Sequence, residues 1–191
     1  QLLGAEEQRV ADLLRAVALA RRQQLALDRR AVRLENHGAR PVGVRHRGAC
    51  RAATEVGVNA CTDVTGFGLV GHAFEMAQGS GVDIVIYSEA VPLLPGALEF
   101  ARAGKLTRAH RSTKSFLADN LQIADRVDPA LAGMLLDAQT SGGLLLSAPS
   151  EHVGPLISAL RREQVPCVAE IGFVTNGAGR VCLLPGSGDG G

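Results

Sequence analysis

The 191 residues carry 20 Lys and Arg against 19 Asp and Glu, a net charge of +1, with 46% hydrophobic and 20% charged residues. That is the makeup of a globular domain with one real core, and it argues against a chain that finds its partner by overall electrostatics. Only 3% of residues are aromatic while 23 are glycine, which favours a loop-rich α/β or α+β fold and speaks against stacking platforms for single-stranded nucleic acid.

No apolar run approaches the ~18 residues of a membrane span, and no signal-peptide pattern is visible. The chain opens on Gln1, so it is expected to begin partway through a longer protein. Cys50, Cys61, Cys167 and Cys182 form no C-x-x-C pair and read as buried, reduced thiols of a cytosolic protein.

In chain order, Glu6 to Arg22 is predicted as an amphipathic helix, with Val10, Leu13, Leu14 and Val17 on one stripe and acids at its start. Between residues 29 and 51, seven arginines face one acid, Glu35, and Gly38, Pro41, Gly43 and Gly48 break any period. The segment reads as solvated and mobile, or as a surface meeting polyphosphate, RNA or an acidic partner. No aromatic residue interleaves with the arginines, so base recognition is not favoured.

The apolar run Val56 to Cys61 reads as a strand feeding Thr62-Asp63-Val64-Thr65-Gly66-Phe67-Gly68-Leu69-Val70-Gly71-His72, and Leu69 to Gln78 as the helix that leaves it. Val82 to Tyr87 reads as a second strand, so the three elements resemble a βαβ unit. Gly96 to Ala103 is predicted as a short helix, and Lys105 to Val127 as a surface excursion with partial helix. Asp128-Pro129 looks like an N-cap and first helical residue.

A second polar turn, Asp137 to Gly143, runs into a buried strand at Leu144 to Leu146. Ser150 to about Arg162 follows as a helix, and Asn176-Gly177 reads as a hairpin between two strands. Residues 186 to 191 read as a disordered tail. Four or five strands and five helices imply an α+β fold, a mixed β-sheet covered by helices.

Asp63 has two readings: a cap for the turn that follows, or a Mg²⁺ ligand beside nucleotide phosphates. Thr65, Gly66 and Gly68 are candidate phosphate contacts, because glycines allow close backbone approach and a helix start suits anions. The loop lacks Walker A spacing and has no lysine nearby. His72 reads as a packed or capping residue rather than a catalyst. Gln139, Thr140 and Ser141 read as a turn supporting the first loop.

Residues 62 to 72 with Glu75-Met76, and Asp137 to Gly143 in the form D-A-Q-T-S-G-G, resemble the two signatures of the selenophosphate synthetase (selenide, water dikinase) family. Pro92 to Ala97 and Ala169 to Gly172 add to the likeness, which covers roughly residues 54 to 184. The resemblance is to the C-terminal half of that enzyme, shared with aminoimidazole ribonucleotide synthetase.

It implies a C-terminal synthetase domain at 54–184, after an N-terminal helix and arginine-rich segment at 1–53 and before a tail at 185–191. It also implies the conversion of ATP, selenide and water to selenophosphate, AMP and phosphate in the cytoplasm, for selenocysteine and modified tRNA. By the same resemblance Asp63 is a Mg²⁺ ligand, the partner is an N-terminal ATP-binding domain or subunit, and the full enzyme is a homodimer.

The family's reactive cysteine or selenocysteine, its lysine and its other metal-binding aspartates belong to that N-terminal region and have no counterpart here. The chain alone is therefore expected to be inactive. The alternatives are another ATP-dependent member of the superfamily, or a non-catalytic assembly or regulatory module.

Overall fold

A computed structural model of the chain describes residues 29–35, 42–140 and 142–186. The helix expected at Glu6 to Arg22, Ser141 and the tail beyond Gly186 lie outside the described residues. The elements are β1 (Arg29–Glu35), α1 (Val42–Val56), β2 (Ala60–Asp63), α2 (Gly68–Ser80), β3 (Val82–Tyr87), α3 (Ala97–Arg102) and α4 (Ala109–Leu117). They continue with β4 (Leu121–Ile123), α5 (Pro129–Leu136), β5 (Leu144–Pro149), α6 (Ser150–Arg162), β6 (Cys167–Asn176) and β7 (Val181–Leu184).

The seven strands form one sheet in the order β2-β5-β1-β6-β3-β7-β4. Pairing is antiparallel from β2 through β3 and parallel for β3–β7 and β4–β7. The sheet is thus mixed, with helices packed on it, as the α+β reading expected.

Alternation along β5 shows how the two faces are built, since neighbouring side chains of a strand point to opposite sides. Leu145 belongs to one core with Leu69, Val70, Phe74, Leu131 and Leu135 of α2 and α5. Leu144, Leu146 and Ala148 belong to another with Ala49, Ala52, Leu156 and Leu160 of α1 and α6. Strand β3 is buried at all six positions, which is why its sequence reads as a continuous apolar run with one acid, Asp83.

Several local expectations hold. Asp128 accepts a bond from Ala130 N at 2.8 Å, with proline opening α5. Gly104 ends the short α3 with φ +74° and its N–H on the Ala101 carbonyl.

Others are corrected. The segment 29–51, whose glycines and proline were expected to break any period, has regular backbone structure where it is described. Arg29–Glu35 pairs with β5 on one side and β6 on the other, and Val42–Val56 is helical. The expected boundary at 53/54 falls inside that helix. Val56 ends a helix instead of starting a strand, and β2 begins only at Ala60.

β2 and β3 are not neighbours, because β5, β1 and β6 lie between them. The Asn176-Gly177 turn does not make a hairpin, because β3 lies between β6 and β7. The cysteines, expected buried, are exposed at Cys50 and Cys61, half-buried at Cys167 and buried at Cys182, none of them in a disulfide.

Candidate functional site

The two glycine-ended turns meet at one end of the β2–β5 pair. β2 is an edge strand whose last residue, Asp63, stands opposite Leu144 at the start of β5. Beyond that pair the loops stay joined by backbone bonds. Val64 N donates to the Gly143 carbonyl at 3.0 Å, and Gln139 N to the Thr65 carbonyl at 2.9 Å.

Two glycines allow this closeness. A Cβ on Gly68, whose φ is +65°, would lie 2.5 Å from the Asp137 carbonyl oxygen, and a Cβ on Gly142 would lie 2.3 Å from the Val64 carbonyl oxygen. The expectation that residues 139 to 141 support the first loop therefore has a direct contact behind it at Gln139.

The two aspartates of these turns have opposite surroundings. The Asp63 side chain is exposed, and among the described residues nothing donates a hydrogen bond to its carboxylate. It is not a cap for the turn that follows. Asp137 is buried. Its carboxylate accepts from Thr107 N at 2.8 Å, from the Thr107 hydroxyl and from Ala138 N at 3.1 Å. Asp137 thereby ties the Lys105–Arg108 stretch to the site, a connection 30 residues long that no local sequence signal announces.

The three candidate phosphate contacts fare differently. Gly66 is exposed with open space around it. Gly68 is buried, and its N–H donates to the Thr65 carbonyl at 3.1 Å, so its glycine serves packing and the turn. Thr65 Oγ1 lies 3.1 Å from His72 Nε2, and His72 Nδ1 lies 2.9 Å from Glu75 Oε2. His72 is buried, which agrees with the packed reading. The helix α2 that follows has Phe67 at its N-cap with no side-chain cap bond, leaving its first N–H groups without a side-chain acceptor.

Phe67, at the tip of the loop, is 46% exposed and Phe116 of α4 is 56% exposed. Their rings stack at 5.8 Å, and Phe74 meets Phe116 edge-on at 5.7 Å. Phe116 was not singled out by the sequence, because Lys105 to Val127 shows no clean period.

Asp63 fits a divalent cation as one ligand of several. Its carboxylate is exposed and without a partner among the described residues, which also hold no cluster of three His, Cys, Asp or Glu able to enclose an ion. Mg²⁺ commonly binds through one or two carboxylates plus phosphate oxygens and water, and a single exposed aspartate at a glycine turn suits that division. Although Cys61 is exposed as a residue, burial around its sulfur, then Cys50 and Asp63 nearby, push its thiol up to about 11.

The domain family described as AIR synthase related protein, C-terminal domain, matches residues 15–183. The selenide, water dikinase of Clostridium botulinum (strain Alaska E43 / Type E3) is 41% identical over 113 residues, 59% of this chain and 32% of that protein. The selenide, water dikinase of Nitratidesulfovibrio vulgaris (strain DP4) is 35% identical over 142 residues, 73% of this chain and 40% of that protein.

Among solved structures, the HypE–HypF complex superposes with a TM-score of 0.54 at 16% identity over 86% of this chain and 52% of that one. Escherichia coli HypE, a hydrogenase maturation protein, gives 0.52 at 20% identity over 84% and 47%. These two share the fold. The matches span a third to two fifths of the length of these curated relatives.

Proposed function

The chain belongs to the AIR synthase related proteins as their C-terminal domain, and from that premise we propose that it is the C-terminal domain of a selenide, water dikinase. The parent enzyme would convert ATP, selenide and water to selenophosphate, AMP and phosphate in the cytoplasm, feeding selenocysteine and selenouridine-tRNA synthesis, as a homodimer. The likeness to relatives bearing that name supports the reading, as does the pairing of the two signature turns into one site.

The single observation that carries the site is the Asp63 carboxylate, exposed at the end of an edge strand and without a partner among the described residues. Asp63 would hold Mg²⁺, which would offset charge on the nucleotide phosphates. The turn at Gly66 would face those phosphates from the open side of the loop, aided by the uncapped start of α2. The remaining cation ligands, the lysine and the reactive cysteine or selenocysteine would come from an N-terminal ATP-binding domain or subunit. The 191 residues by themselves would form no selenophosphate.

The test supplies the chain with an N-terminal synthetase half and follows AMP release with selenide and with other acceptors. AMP formed only when selenide is present supports the dikinase. AMP or ADP formed equally with another acceptor would assign the chain to a different ATP-dependent member of the superfamily.

A further inference from the structure

Glu75, His72 and Thr65 form a line of three side chains, carboxylate to imidazole to hydroxyl, with contacts of 2.9 Å and 3.1 Å. Its members sit at i, i+7 and i+10 along the turn and the first two turns of α2. A carboxylate only accepts hydrogen bonds, so a ring with a single proton carries it on Nδ1 to meet Glu75. Nε2 is then an acceptor, and the Thr65 hydroxyl must donate to it. The ring is buried, and Phe67 packs edge-on against it at 5.8 Å, which closes one route for exchange of partners. The Thr65 backbone is held as well, its carbonyl accepting from both Gly68 N and Gln139 N.

Resting on the cation site proposed at Asp63, we infer that His72 and Glu75 are positioning residues that turn the Thr65 hydroxyl proton away from the ligand. Its oxygen then offers only lone pairs to whatever lies beside Asp63, two residues back in the chain. Such an oxygen suits a divalent cation or a water bound to one, since both present positive charge or O–H donors. It does not suit a phosphate oxygen, which requires a donor. Thr65 thus belongs with the cation side of the site and Gly66 with the phosphate side. Thr65 is half-buried. Glu75, whose side chain is 48% exposed, is replaceable without opening the core.

The relay and the cation site are separable by experiment. In the ¹⁵N-histidine-labelled chain, long-range ¹H–¹⁵N spectra at neutral pH should show His72 protonated on Nδ1, and Glu75→Gln should move a substantial fraction to the Nε2–H form. With the chain joined to an N-terminal synthetase half and ATP present, paramagnetic broadening by Mn²⁺, standing in for Mg²⁺ as an oxygen-seeking octahedral ion, should centre on residues 63–66.

Thr65→Val and Glu75→Gln should each weaken Mn²⁺ binding by about tenfold, while Thr65→Ser, which keeps the hydroxyl, should bind much more tightly than Thr65→Val. A wild-type ring protonated on Nε2 would overturn the inference. So would a Thr65→Val chain that holds Mn²⁺ like wild type while Asp63→Asn does not, an outcome that leaves Asp63 in its role. Unchanged Mn²⁺ binding in Asp63→Asn would remove the cation site and the inference with it.

Discussion

Two aspartates in two similar turns do opposite work. Asp137 is buried and accepts three hydrogen bonds, so Asp137→Ala leaves Thr107 donors without an acceptor and should cost about 2–4 kcal/mol in denaturant unfolding. Asp63 is exposed and unpartnered among the described residues, so Asp63→Ala should leave stability within about 0.5 kcal/mol. Gly68→Ala combines a left-handed φ with a Cβ 2.5 Å from the Asp137 carbonyl oxygen and should cost about 3 kcal/mol in the same measurement. The sequence marked both aspartates and the glycines as notable. It could not separate a ligand from a support, because that depends on residues 30 or more positions away.

At the scale of elements, the misreadings share a physical origin. Asn176-Gly177 is a strong local turn signal, yet the turn crosses the start of β3 instead of closing a hairpin. Asp83 is the reason. Its buried carboxylate accepts from Ala178 N and Arg180 N at 2.9 Å each and pairs with the Arg180 guanidinium at 2.9 Å. The connection is thereby fixed over β3, and β7 pairs parallel to β3 on the far side.

Asp83→Ala would leave the Ala178 and Arg180 N–H groups and the partly exposed Arg180 guanidinium without their buried acceptor and should destabilise the chain by about 3 kcal/mol in urea unfolding. A loss under 1 kcal/mol would mean the loop is held by other means. The arginine-rich stretch misled for a similar reason. Composition suggested an irregular stretch, but Arg29–Glu35 finds backbone partners on both sides, and Arg51, though exposed, reaches Glu163 just past α6 with its Nε at 3.1 Å. Long-range pairing of this kind leaves no period in the sequence. By contrast, α5 and the short α3 were legible because proline, an N-cap aspartate and a terminal glycine act locally.

At the scale of the whole molecule, the sheet is covered from both faces, by α2 and α5 on one and α1 and α6 on the other. The α+β reading came through because β-branched runs and helical stripes were clear, whereas strand order was not, since four strands separate elements adjacent in sequence. Cys182 on β7 offers a global probe of that packing. Burial first, then the Asp83 charge, raise its thiol to about 12.

A folded-state pKa raised above the unfolded value of about 9 gives stability that is complete below pH 9 and is lost as pH climbs toward 12. Unfolding free energy should fall by about 1.4 kcal/mol per pH unit across that window from this thiol, and Cys182→Ala should flatten the alkaline slope by that amount.

The proposed cation site rests on Asp63. With the chain joined to an N-terminal synthetase half, selenophosphate formation can be followed by ³¹P NMR across a Mg²⁺ titration. Asp63→Ala is predicted to lower turnover at least about a hundredfold and to shift its Mg²⁺ requirement upward while the fold stays intact. Wild-type turnover with an unchanged Mg²⁺ dependence in that variant would contradict the account.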